Sequence, residues 1–202
     1  LMSLGRRPST EGFGAREVGL EYSGAAIACD ESLKSSIDNI YVVGDANGKA
    51  MLAHTAFKEA EIAVANICGG QRTMRYDCIP SCIYMEPEIA SVGLTEAQAR
   101  ERCGDDVKIG RFPLYANSKS LIDGGTDGMM KVILDSKYGE ILGVHLFGAH
   151  TTEMIAQFAT AMQSELTAEE VLETVFPHPS VSEGLDEAFL SAWKGSAIHN
   201  VG

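Results

Sequence analysis

Met129-Met130-Lys131-Val132-Ile133-Leu134-Asp135-Ser136-Lys137-Tyr138-Gly139-Glu140-Ile141-Leu142-Gly143-Val144-His145-Leu146-Phe147 reads as a β-hairpin. Residues 129–134 and 140–147 carry β-branched and apolar side chains with strand periodicity, and Asp135 to Gly139 supplies the turn between them. Upstream, residues 107–115 are also expected to be extended, and Thr95-x-x-Gln98 opens a short helix that stops at Gly104. Downstream the period changes to that of helices. Ile155, Phe158, Ala159 and Met162 share one face, Thr167-x-x-Glu170 is a capping box, and a last helix starts near Ser180 and runs through Leu185, Ala188, Phe189 and Trp193. Strands followed by helices predict an α+β domain built on an antiparallel sheet.

Ahead of this lies a unit of another type. Ile40-Tyr41-Val42-Val43-Gly44-Asp45 reads as a short strand ending in a glycine and an acid, followed by a helix from about Met51 to Gly69-Gly70. In open α/β sheets ligands sit beyond the carboxyl ends of strands. Gly44 there lets a ligand approach the backbone, and Asp45 either accepts from its hydroxyls or caps a turn. The helix places Ala53, Ala56, Ala60, Ala63, Val64 and Ile67 on a narrow face suited to close packing on a sheet. Gln71 to Arg75 is a polar connector. The expected division is 1–72, the incomplete end of a nucleotide-binding region, and 73–202, a second domain.

The chain has 202 residues, 45% of them apolar, enough for a buried core. Its 28 acidic and 16 basic residues leave a net charge of −12 with no basic run, which opposes binding to nucleic acid or an anionic membrane. No apolar run approaches the roughly 20 residues of a spanning helix, and the first residues lack the order of a signal peptide. The expectation is an intracellular protein that meets small molecules or other proteins. The five cysteines, at 29, 68, 78, 82 and 103, match no disulfide framework or zinc spacing. Cys78 and Cys82 are therefore assigned to packing rather than redox work. Gly12-Phe13-Gly14 has no leading strand and Glu17 at the third glycine's place, so it is a loop. No metal-binding motif is present.

Pro177-His178-Pro179-Ser180-Val181-Ser182-Glu183 carries the chemistry. Two prolines restrict the backbone around His178, and Glu183 follows about one turn later. An imidazole titrates near neutrality, and a carboxylate on one ring nitrogen fixes its tautomer and steadies the imidazolium. Ser180-x-x-Glu183 also spells a capping box, and the two roles are compatible. His54 is assigned chiefly a backbone contact, His145 and His150 structural places, and His199 a place in a tail.

Three separated blocks together resemble the dihydrolipoamide dehydrogenase family, flavin-dependent disulfide oxidoreductases of the pyridine-nucleotide class. They are Tyr84-Met85-Glu86-Pro87-Glu88-Ile89-Ala90-Ser91-Val92-Gly93, Ala116-Asn117-Ser118, and His178 to Glu183. Leu4-Gly5-Arg6-Arg7-Pro8 is similar to the end of the family's NAD-binding domain, and Ile40 through His54 to its second FAD-contacting segment. The fold so implied is the C-terminal dimerisation domain of FAD/NAD-linked reductases, preceded by the last strand-helix portion of an α/β FAD-binding domain.

The resemblance implies roles. Asp45, beside Gly44, bonds the flavin's ribityl chain; Met51, Leu52, Ala53 and His54 line the isoalloxazine edge; Gly5 lies near the NAD site. His178 takes the proton of the dihydrolipoyl thiol and Glu183 orients it, serving a redox disulfide from the opposite subunit of a homodimer. Further implied partners are the lipoyl domains of 2-oxo acid dehydrogenase or glycine cleavage complexes, in the cytoplasm or, in a eukaryote, the mitochondrial matrix. Phe176 departs from the family, which often has a histidine there. The family's Gly-x-Gly-x-x-Gly FAD loop and Cys-x-x-x-x-Cys pair do not appear, and Thr73 stands where a partner for Cys78 belongs. The expectation is a C-terminal fragment, inactive alone, with FAD and NAD the cofactors of the complete enzyme. Two alternatives stay open: a non-catalytic homodimerisation module, and the same region of a glutathione reductase-like enzyme.

Overall fold

A computed structural model describes residues 1–199, which divide into two compact units, one ending at Tyr76 and the other starting at Asp77. The division falls beyond the expected boundary at 72 because the connector is tied back. The Met74 amide bonds to the Glu31 carbonyl at 2.9 Å, and the Tyr76 hydroxyl to Glu59 at 2.6 Å.

In the first unit a two-stranded ribbon, β1 (Tyr22–Ser23) and β2 (Ala26–Ile27), packs near a small core of Ala15, Ile27 and Val42. The expected strand at residues 40–45 does not form. Tyr41 makes a single bridge to Lys34, and Gly44–Asn47 closes into a 3₁₀ turn. A strand needs a neighbour along its length to take up its amides and carbonyls, and here only the short segment 33–35 pairs with the run, the Ser35 amide donating to the Ile40 carbonyl and the Val42 amide to the Leu33 carbonyl, both at 2.9 Å. Helix α1 (Ala53–Ile67) follows. Its buried residues are Thr55, Glu59, Ile62 and Ala63; of the expected stripe only Ala63 is buried, Ala56 and Ala60 are half-buried, and Ala53, Val64 and Ile67 are exposed.

The second unit is an antiparallel sheet of β3 (Ser81–Ile83), β4 (Glu88–Gly93), β5 (Val107–Pro113), β6 (Met129–Asp135) and β7 (Ile141–Gly148), ordered β3-β4-β7-β6-β5. The hairpin of β6 and β7 is its centre. Alternation sends one cross-sheet row, Cys82, Ala90, Leu146, Met130 and Phe112, into the core, and the adjacent row, Ile83, Ile89, Phe147, Met129 and Pro113, to the other side. Cys82 is thus the end of a core row, and the Cys78 thiol bonds to Gln163 at 3.1 Å, in keeping with packing roles.

Helices α4 (Thr151–Gln163) and α6 (Glu183–Lys194) cover the core row, with Phe158 and Phe189 stacked 5.5 Å apart. Helix α2 (Glu96–Cys103), opened by the Thr95/Gln98 capping box, packs Ala99 on Ile133 and Leu142. Short helices α3 (Ser118–Asp123) and α5 (Ala168–Leu172) complete the unit, the latter with its Thr167/Glu170 box formed. Among the described residues no helix is long and apolar enough to cross a membrane.

Candidate active site

α6 carries the carboxylate and the segment before it carries the imidazole. His178 Nδ1 lies 2.7 Å from Glu183 Oε1, and the other carboxylate oxygen accepts the Ser180 amide at 2.8 Å. The capping box therefore forms by half: Glu183 reaches back to the Ser180 N–H, while the Ser180 hydroxyl pairs with Ser182 at 2.9 Å and Ser182 takes the N-cap position. Glu183 meets the helix start and the imidazole with separate oxygens, so the two contacts are compatible.

The His178 side chain is 71% exposed and that of Glu183 28%. With Nδ1–H donated to Glu183, Nε2 is left as the proton acceptor, turned outward. Burial works against ionisation of Glu183, but the Ser180 N–H and His178 outweigh it and hold the carboxyl below the usual range. A depressed pKa contributes stability that is complete above the ordinary glutamate pKa and is lost as pH falls through the lowered value. Wild type and Glu183→Gln should therefore differ in urea midpoint at neutral pH and converge in acid. An equal difference at all pH values would contradict the assignment.

Asn117, 4% exposed, straps the segment in place. Its amide nitrogen donates to the Ser180 carbonyl at 3.0 Å, and its Oδ1 accepts from the Ser120 amide at 2.9 Å at the start of α3. Sequence reading found Asn117 only as part of a resembling block. The link spans residues far apart in the chain, and no local pattern marks it.

A cleft of about 220 Å³ opens beside the pair, lined among others by Phe112, Asn117, Phe176, Asp186 and His199. Phe176, the departure from the family pattern, gives it an apolar wall. Glu187 accepts the Ile198 amide at 2.7 Å and His199 Nδ1 at 2.5 Å, folding that segment against the helix. Burial, then the neighbouring Glu187 and Glu183, raises the Asp186 carboxyl above its ordinary range.

Within the first unit three expected cofactor segments meet at Arg6, which sequence reading did not single out. Its guanidinium donates to the Met51 carbonyl and lies 3.6 Å from Asp45, both ends exposed. Gly5, at φ +90°, precedes it, with open space where a Cβ would stand. Asp45 projects from the 3₁₀ turn that begins at Gly44, φ +68°. Leu52 is the N-cap of α1 with no side chain bonded there, and Ala53 and His54 form its exposed first turn. An exposed ion pair of this length contributes little, so Asp45 is free to take hydroxyl donors. An exposed carboxylate beside an uncapped helix start fits a polyhydroxyl chain joined to an electron-accepting ring. His145, by contrast, bonds to the Leu94 carbonyl at 2.9 Å, a structural role. Among the described residues no cluster of His, Cys, Asp or Glu could hold a metal.

Residues 79–189 match the family model described as pyridine nucleotide-disulphide oxidoreductase, dimerisation domain, and residues 1–60 the model described as pyridine nucleotide-disulphide oxidoreductase. The chain is 41% identical over 195 residues to dihydrolipoyl dehydrogenase of Rhizobium etli, covering 96% of this chain and 40% of that protein. It is 39% identical over 202 residues to the mitochondrial dihydrolipoyl dehydrogenase of Caenorhabditis elegans, covering 100% of this chain and 41% of that protein. It thus spans about two fifths of these relatives. Among solved structures it is similar to LpdA of Mycobacterium tuberculosis, with a TM-score of 0.86 at 26% identity over 94% of this chain and 41% of that one. The HOCl-induced flavoprotein disulfide reductase RclA of Escherichia coli gives 0.84 at 29% identity over 93% and 43%.

Proposed function

The chain belongs to the pyridine nucleotide-disulphide oxidoreductase family, and we propose that it forms the flavin-edge and dimerisation portion of a dihydrolipoamide dehydrogenase, which oxidises dihydrolipoyl groups with NAD+ through FAD and a redox disulfide. The observation that carries this reading is the His178–Glu183 bond of 2.7 Å beside an open cleft. His178 Nε2 takes the proton of the dihydrolipoyl thiol as it enters. The thiolate left behind is the form that attacks a disulfide. Glu183 keeps Nδ1 protonated beforehand and stabilises the imidazolium afterwards, and Asn117 and Ser180 hold the pair in register. The aliphatic part of a lipoyl arm lies against Phe176 and Phe112.

Asp45 and the first turn of α1, Met51 to His54, would hold FAD, with Gly5 near NAD. FAD, when bound, supplies the passage of electrons from the reduced disulfide to NAD+. The protein acts as a homodimer, a reading supported by the dimerisation-domain match, and the His178–Glu183 pair serves the partner's disulfide. The partners proposed for the complete enzyme are lipoyl domains of 2-oxo acid dehydrogenase or glycine cleavage complexes, in the cytoplasm or, in a eukaryote, the mitochondrial matrix.

The test is NADH formation from dihydrolipoamide by the complete enzyme containing this chain, beside reduction of glutathione disulfide with NADPH. Turnover of dihydrolipoamide alone supports the assignment, and turnover of glutathione disulfide alone replaces it with the glutathione reductase-like alternative. Light scattering on the chain itself should report a dimer. Replacing Glu183 with Gln should slow the dithiol half-reaction about 10–100-fold, the loss seen when a partner orienting a working histidine is removed. Stopped-flow across pH should show an altered profile as well as a lower rate; an unaltered profile would mean that Glu183 does not set the tautomer.

A further inference from the structure

Glu59 is fully buried in the first unit, at 0% exposure on the inner face of α1. Among the described residues its carboxylate is held by hydrogen bonds from a backbone amide, a side-chain amide and a phenol. Oε2 accepts the Gly44 amide at 2.5 Å, and Oε1 accepts the Asn47 side-chain amide at 2.9 Å and the Tyr76 hydroxyl at 2.6 Å. Gly44 and Asn47 are the first and last residues of the 3₁₀ turn that carries Asp45. The Asn47 Oδ1 accepts the Lys49 amide at 2.9 Å and leads the chain toward α1. A buried carboxylate is costly to desolvate, and its retention is explained when every bond it makes serves one geometry. Here the bonds grip both ends of a four-residue turn and leave its exposed residue pointing outward.

We propose that Glu59 is a positioning residue for flavin binding: by clamping Gly44 and Asn47 it fixes the turn that presents Asp45 to the ribityl hydroxyls. The proposal rests on the flavin reading of Asp45. It also extends to the connector, because the Tyr76 hydroxyl ends on the same oxygen and Tyr76 is the last residue of the unit. Burial, then its bond to Glu59, pushes the Tyr76 phenol up, so that it stays a donor throughout the neutral range. Glutamine cannot replace this clamp. Its single oxygen satisfies either Gly44 or the Asn47 and Tyr76 side, and its NH2 group then faces a donor on the other.

The experiment is Glu59→Gln, read in two ways. On the chain itself, the Gly44 amide proton should lie far downfield in wild type, as a charge-assisted bond requires, and move upfield in the variant. In the complete flavoenzyme, FAD affinity measured by flavin fluorescence should fall about 10-fold or more. Asp45→Asn made on top of Glu59→Gln should add little, because both act on one contact. If Glu59→Gln does not fold, Asn47→Ala cuts the clamp at one end only and should weaken FAD in the same direction. Wild type that binds FAD while the variants bind it equally well overturns the role of Glu59. A complete wild-type protein that binds no FAD overturns the flavin reading itself, and with it the purpose assigned to the clamp.

Discussion

Substituting His178 by Gln slows oxidation of the dihydrolipoyl thiol by about 10²–10⁴-fold in the complete enzyme, the usual cost of removing a general acid/base. The size follows from the arrangement. Glutamine fills the same place and still donates to Glu183, so the segment keeps its bonds to Ser180 and Asn117, but it offers no nitrogen of suitable basicity to the entering thiol. The flavin spectrum and the dimer should be unchanged. The loss should also shrink as pH approaches the thiol's own pKa, where the substrate arrives already ionised. Rapid-mixing measurements of the dithiol half-reaction from neutral to alkaline pH test this, and a rate equal to wild type at neutral pH would remove His178 from the mechanism.

The second large effect concerns the support beneath that site. Gly110 lies on β5 under α6, and a Cβ there would stand 1.9 Å from the Ala188 carbonyl oxygen and 2.6 Å from the Ala192 amide nitrogen. These are backbone atoms of a helix and cannot swing aside as a side-chain end does. Gly110→Val should therefore cost about 3 kcal/mol or more, at the upper end of overpacking. It should also disturb the pair at the start of α6, since the helix can accept the side chain only by lifting from the sheet. Gly125→Ala is the control, because its Cβ would meet only the Ala149 Cβ at an ordinary 3.5 Å. Its stability should stay within about 0.5 kcal/mol. Urea unfolding of the three proteins, followed at Trp193, decides the matter: a Gly110→Val protein as stable as the control would show that α6 can shift without penalty.

Much of the second unit was legible because its signals are local. The β6–β7 hairpin follows from side-chain alternation on either side of a turn, and the Thr95 and Thr167 capping boxes each lie within one helical turn. His178 and Glu183 could be paired in advance for the same reason: they lie within about one helical turn of each other on a stretch stiffened by prolines, although Asn117 is what fixes that stretch to the rest of the unit. The first unit was less legible. Ile40 to Val43 has a strand's composition but only one bridging partner, and α1 buries a glutamate on a face that periodicity assigns no role. Hydrophobic pattern cannot announce a buried carboxylate, since that residue type is normally at the surface.

The amino-acid order by itself determined the β6–β7 hairpin, the helix starts at Thr95 and Thr167, and the imidazole–carboxylate couple, all properties of neighbours within a few positions. Only the tertiary structure decided that Asn117 would anchor Ser180, that Arg6 would join Asp45 and Met51, and that Glu59 would gather Gly44, Asn47 and Tyr76. Each of those links joins residues separated by a dozen positions or more. A hydrogen bond of that kind exists only once packing has brought its two ends within about 3 Å.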